Sequence, residues 1–139
     1  MSKKLRVAII GCGGIANGKH LPSLKKLEQV EMVAFCDIEI KKAEKAAIEY
    51  GTPEAAVYKN YKQLLEDESI DVVHVLTPNI SHAEISIASM EAGKHVMCEK
   101  PMAKTSEEAK LMVETAERTG KKLTIGYNNR FRPDSQYLH

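Results

Sequence analysis

The residues best suited to chemistry sit where apolar runs end. The β-branched run Arg6-Val7-Ala8-Ile9-Ile10 stops at Gly11-Cys12-Gly13-Gly14-Ile15-Ala16, with the spacing G-x-G-x-x-A. That order predicts a strand, a glycine-rich turn and the opening of a helix. Gly11 lets the chain turn sharply off the strand, and Gly13 withholds a side chain so that a pyrophosphate can approach the backbone. Ala16 keeps the helix close to the strand, and free N–H groups at the helix start face the phosphates. The next apolar run, Met32 to Cys36, ends at Asp37. A carboxylate at that tip can accept both hydrogen bonds of an adenosine ribose diol. Gly11, Gly13, Gly14, Ile15, Ala16, Asp37 and Ile38 are therefore candidate contacts of a dinucleotide. Asp37 favours NAD over NADP, because a carboxylate repels a 2′-phosphate and Ile38-Glu39 offers no arginine. Lys41 and Lys42, one turn on, could partly compensate.

Three elements of that kind need a scaffold, and the pattern along the chain supplies one. Strands are expected at Leu5–Ile10, Glu31–Cys36, around Val57, Asp71–Leu76, His95–Cys98 and Leu123–Tyr127. Helices are expected between them: Pro22–Leu27 after a short turn at 15–18, Ile40–Tyr50, Tyr61–Leu65, Ser81–Ala92 and one opening at Thr105 and stopping at Gly120. Ala43, Ala46, Ala47 and Tyr50 share one face at helical spacing, with Gly51 as a stop. Ser81 with Glu84, and Thr105 with Glu108, have the reciprocal capping spacing. Ala109, Met112, Val113 and Ala116 should face inward. Strands alternating with helices imply parallel pairing and right-handed crossovers. The expected fold is α/β, a doubly wound parallel sheet of the Rossmann type with strand order 3-2-1-4-5-6. Its crevice opens between strands one and four, above their carboxyl ends.

The bulk numbers fit one soluble domain: 139 residues, 43% hydrophobic, 28% charged and a net charge of +1. No basic stripe interleaved with aromatics points to nucleic acid. No run is long enough to span a bilayer, and Met1 to Arg6 is followed by too short an apolar run for a signal peptide. The three cysteines, Cys12, Cys36 and Cys98, have neither disulfide nor zinc spacing, so no metal is expected and a cytoplasmic location is.

The loops at the carboxyl edge carry a second set: Thr77-Pro78-Asn79 with His82, Glu99-Lys100-Pro101, and Gly126 through Pro133. Here the sequence resembles the glucose–fructose oxidoreductase, inositol dehydrogenase and rhizopine-catabolism (Gfo/Idh/MocA) oxidoreductases. The resemblance runs from Arg6 to about Pro133, and Ala92 to Pro101 matches the family's hallmark almost residue for residue. It implies hydride transfer between a nicotinamide and a CH–OH carbon of a sugar, polyol or related molecule. The lysine matching Lys100 is the implied catalytic residue, polarising the reacting oxygen and relaying its proton, with Glu99 positioning it. The match of Thr77, Pro78, Asn79 and His82 implies contacts along the ribose and nicotinamide end, which Asn128 closes. Plainer readings stand beside these: Asn79 as a helix cap, His82 as a residue meeting only the helix end, and Arg130 and Arg132 as structural.

Members of the family are over twice this long, and their second half is a substrate domain. The expectation is that residues 1–127 form the dinucleotide-binding domain and 128–139 begin the connection to a missing C-terminal domain. A small-molecule substrate would need that domain, so the chain alone is expected to bind cofactor without turnover and to self-associate through uncovered surface. Two rival readings are a nicotinamide-nucleotide sensor without catalysis, and a methyltransferase of related topology holding S-adenosylmethionine. The second leaves the lysine motif unexplained.

Overall fold

The computed structural model describes residues 4–13, 21–77, 81–99 and 105–126. Six strands form one parallel sheet in the order β3-β2-β1-β4-β5-β6. In chain order the elements are β1 (Leu5–Ile10), α1 (Leu21–Lys25), β2 (Val30–Cys36), α2 (Ile40–Tyr50), β3 (Ala56–Tyr58) and α3 (Tyr61–Leu64). They continue with β4 (Val72–Val75), α4 (His82–Glu91), β5 (His95–Glu99), α5 (Ser106–Thr119) and β6 (Leu123–Gly126). The predicted doubly wound order is the observed one. The chain reverses its direction of travel across the sheet between β1 and β4, where such folds open their crevice.

Each sheet face has its own apolar core, as strand alternation requires. Val7 and Ile9 of β1 join Met32, Phe35 and Leu76 under Leu21 of α1 and Ala43 and Ala46 of α2. On the other face Ala8, Ile10, Val73, Val75, Val96 and Cys98 pack beneath Leu64 of α3, Ile85 of α4 and Met112 of α5. β4 is thus buried on both sides, as a central parallel strand should be, with Val73 and Val75 on one face and Val72 with the buried His74 on the other. The pairing of β1 with β2 shifts by one residue between Val7 and Ala8, which face Met32 and Ala34. Val33 is the extra residue, a bulge that lets Met32 and Phe35 share a face although three positions apart.

Several local expectations change. Ser81 adopts helical backbone angles and makes no side-chain cap. Its expected partner Glu84 instead accepts a hydrogen bond from the Tyr61 hydroxyl at 2.7 Å, so the reciprocal cap does not form. Thr105 does cap α5, its Oγ1 accepting from the Glu108 N–H at 3.1 Å. Val113 is 46% exposed and does not face inward. The stripe runs through Met112 and Thr115, and the Thr115 hydroxyl is satisfied by donating to the Leu111 carbonyl at 2.7 Å. α1 begins at Leu21 and ends at Lys25, shorter than expected, with a turn closing from the Leu27 N–H to the Leu24 carbonyl. The turn expected at 15–18 lies outside the described residues. Gly51 does stop α2, but with φ −81° and ψ 168° rather than in the left-handed region. A Cβ there would stand 2.7 Å from a Phe35 ring carbon and 2.8 Å from the Ala47 carbonyl oxygen. Glycine is required at Gly51 by packing.

Candidate cofactor-binding site

β1 ends by handing its chain across the tips of its neighbours. The Gly11 N–H donates to the Cys36 carbonyl of β2 at 2.8 Å, and the Leu76 N–H donates back to the Ile10 carbonyl at 2.8 Å. Gly11 has φ +100°, and a Cβ on it would lie 2.7 Å from both the Leu76 carbonyl carbon and the Thr77 nitrogen. Glycine is forced there twice, by its backbone conformation and by the approach of the chain leaving β4. Gly13 is the opposite case, since a Cβ there would meet nothing within 4 Å among the described residues. Open space over a side-chain-free backbone is what a pyrophosphate needs.

Asp37 ties the turn to the tip of β2. Its Oδ2 accepts from the Cys12 N–H at 2.9 Å and its Oδ1 from the Glu39 N–H at 2.8 Å. A carboxylate has about four lone-pair directions, so the oxygens remain able to accept from a diol while held by the backbone. Cys12 contributes its N–H and its bulk. The side chain is fully buried, and burial, then the Asp37 charge, then Cys36 push its thiol up to about 12. Cys36, also buried, is raised to about 11 by burial and Asp37. Neither is a nucleophile near neutral pH.

Around these residues a cleft of about 780 Å³ opens at the carboxyl ends of β1, β2 and β4. Gly11, Gly13, Asp37, Ile38 and Thr77 all line it, so the structure brings these five sequence candidates together. Ile38 is 79% exposed, an apolar side chain at the rim. The Thr77 hydroxyl is buried and has no hydrogen-bond partner among the described residues. An orphaned buried hydroxyl, an open cradle at Gly13 and a restrained carboxylate are together a donor and acceptor set that fits a dinucleotide. His82 is 2% exposed, and its Nε2 donates to the Thr77 carbonyl at 2.6 Å. Its described contact fixes the loop after β4. Glu99 is the last residue of β5, paired with Gly126 of β6. Gly14, Ile15, Ala16, Pro78, Asn79, Lys100 and Asn128 lie outside the described residues.

Among the residues lining the cleft that sequence reasoning did not place there are Lys59, Tyr61, Glu84 and Ile85. Each falls just beyond β3 or within the first turn of α3 or α4, so position along the carboxyl edge was the available signal. Lys42 also lines the cleft, with its Nζ 3.2 Å from a Glu39 carboxylate oxygen. A smaller cavity of about 400 Å³ lies at the opposite edge of the sheet, by Leu5, Asp71 and His95, away from the glycine turn.

A parallel sheet of this order, with a glycine turn and a strand-tip acid at its crevice, defines a nucleotide-binding Rossmann domain. Residues 5–127 match the profile of the oxidoreductase family with an NAD-binding Rossmann fold, and the chain belongs to that family. The D-glucoside 3-dehydrogenase of Escherichia coli K12 is 41% identical over 137 residues, covering 99% of this chain and 38% of the relative. Among solved structures, the 3-ketoreductase KijD10 from Actinomadura kijaniata in complex with NADP and TDP-benzene superposes with a TM-score of 0.83 at 31% identity. That match covers 89% of this chain and 37% of the other. The WlbA dehydrogenase from Chromobacterium violaceum, in complex with NADH and UDP-GlcNAcA, gives 0.82 at 34% identity, covering 90% and 35%. The chain thus spans less than two fifths of the length of these proteins. Among the described residues no helix is long and apolar enough to cross a membrane.

Proposed function

We propose that this chain is the nucleotide-binding part of an oxidoreductase that moves hydride between NAD(H) and a CH–OH carbon of a sugar, polyol or related substrate. The observation that carries the reading is the cleft itself: an open cradle at Gly13 beside a carboxylate that two backbone N–H groups hold at the tip of β2. Gly11 to Ala16 hold the pyrophosphate in this account, Asp37 takes the adenosine ribose, and Ile38 covers the adenosine end. Thr77, Pro78, Asn79, His82, Glu99 and Asn128 serve the ribose and nicotinamide end. His82 acts there by fixing the Thr77 carbonyl.

When bound, the nicotinamide ring supplies the hydride acceptor or donor. The chain's own contribution to chemistry is Lys100, which follows the last residue of β5 in sequence. As a neutral amine Lys100 can take up the hydroxyl proton, and the ammonium so formed favours the alkoxide character that develops as hydride leaves carbon. NAD is preferred to NADP: Asp37 and Glu39 put two carboxylates at the ribose, and Lys42 already pairs with Glu39. Lys59 at the rim tempers that preference.

The relatives named as a glucoside 3-dehydrogenase and a 3-ketoreductase support a sugar-like substrate. The domain division belongs to the same proposal: residues 1–127 hold cofactor, and 128–139 lead toward substrate-recognising sequence such as the relatives carry. A reducing, cytoplasmic setting suits its three buried cysteines, none of which is in a disulfide. The test is absorbance at 340 nm with NAD and a panel of glucosides and cyclitols, for the 139-residue chain and for any longer protein containing it. The chain alone should bind NADH without turnover, while the longer protein should reduce NAD and lose that activity on Lys100→Ala. Undiminished reduction by the Lys100→Ala variant would refute the assignment.

A further inference from the structure

The dinucleotide reading assigns the glycines and Asp37 but leaves one wall of the cleft unused. α3 follows β3 and α4 follows β4, and both pack on the face of the sheet opposite α1, with Tyr61, Leu64 and Ile85 in the same core. Their first turns therefore meet across the tips of β1 and β2. There the Tyr61 hydroxyl donates to Glu84 Oε2 at 2.7 Å, and both residues line the cleft. Glu84 Oε1 has no hydrogen bond or ion pair among the described residues. The same lining carries Ile38, Leu76 and Ile85, which offer apolar contact for an aromatic base, alongside Lys59 and Ser81.

We propose that the Tyr61–Glu84 pair reads the base of the dinucleotide, with Glu84 Oε1 accepting a hydrogen bond from the adenine 6-amino group. This rests on the proposed NAD(H) reading and extends it to base selection. The ribose diol on Asp37 fixes where the base leaves C1′. One side of the sheet at that point is occupied by α1 and α2, so the base is directed over the face that α3 and α4 cover. A carboxylate can only accept, which matches an amino group at position 6 and opposes the 6-oxo group of hypoxanthine. Tyr61 supplies the restraint: burial, then its bond to Glu84 and the Glu84 charge, push its hydroxyl up to about 12. It stays protonated across the neutral range and keeps Glu84 in one orientation.

The probes are NADH and its hypoxanthine counterpart, deamino-NADH, titrated into the 139-residue chain by fluorescence. Because Glu84 is at the rim, one charge-assisted hydrogen bond against one acceptor–acceptor contact should give about tenfold preference for NADH. Glu84→Gln can donate as well as accept, and should bring the two ligands within about threefold, with an unchanged melting temperature. Tyr61→Phe keeps the carboxylate but frees it, and should fall between the two. Equal binding of both ligands by the wild type, or an unchanged ratio in Glu84→Gln, overturns the proposal while leaving the cofactor reading intact. Failure of the wild type to bind NADH overturns both.

Discussion

Replacing Asp37 by asparagine separates its two duties. In the structure one oxygen accepts from the Cys12 N–H and the other from the Glu39 N–H, at 2.9 and 2.8 Å. Asparagine keeps one acceptor and turns the other into a donor facing a donor. The charge-assisted hydrogen bond to the ribose 2′-hydroxyl is lost at about 2 kcal/mol, which is roughly 30-fold in NADH affinity. The same change removes a negative charge from the site that a 2′-phosphate would approach. At this half-exposed rim that relief is about 1 kcal/mol, or roughly fivefold in favour of NADPH. The ratio of the two affinities should therefore move by about a hundredfold toward NADPH. Parallel fluorescence titrations with NADH and NADPH measure it, and a melting curve confirms that the fold survives with a drop of only about 3–6 °C. Equal weakening of both ligands, with the fold intact, would refute the assignment of Asp37 to the ribose.

Two neighbouring glycines should fail in different ways. Gly11→Ala places a methyl against the backbone of Leu76 and Thr77 at a positive φ, and should destabilise the chain by about 3 kcal/mol or more. Gly13→Ala meets nothing within 4 Å among the described residues, so its melting temperature should hold while NADH affinity falls at least tenfold, as a methyl occupies the pyrophosphate's space. A Gly13→Ala variant that binds NADH normally would remove the phosphate cradle from the account. The buried thiols give a pH dependence. Cys12 and Cys36 are raised in the folded chain, to about 12 and about 11 from 9.0, so the unfolded state releases their protons first. Their contribution to stability is therefore full below pH 9 and is lost as pH rises toward 11 and 12. Denaturant unfolding from pH 8 to 11 should show the decline, and a Cys12→Ala/Cys36→Ala variant should show a shallower one.

The sheet order was legible because β-branched runs, glycine stops and helical periodicity agree about every element. Where one residue's neighbour in space decides the matter, the sequence is silent. The Val33 bulge depends on how β1 meets β2, and nothing in Met32 to Cys36 marks an extra residue. Gly51 looks like an ordinary helix stop, yet its necessity comes from the Phe35 ring. Ser81 and Glu84 have capping spacing, but Tyr61, distant in sequence, claims the carboxylate. Lys94 is another such case. It lies between Gly93 and β5, and its side chain is buried with Nζ donating to the Asp67 carbonyl at 2.7 Å. Burial pulls its pKa down, and Asp67, Glu68 and Asp71 oppose that. Within the site, local signals found the turn and the acid, because each must end a strand. The wall made by α3 and α4 is assembled from separate first turns and has no local motif.

The central claim is that the cleft between the glycine turn and α4 holds a nicotinamide dinucleotide. Calorimetric titration of NADH into the 139-residue chain tests it most directly. The account predicts saturable binding at one site per chain, weakened at least tenfold in Gly13→Ala while that variant remains folded. Absence of saturable binding by the folded wild-type chain would contradict it.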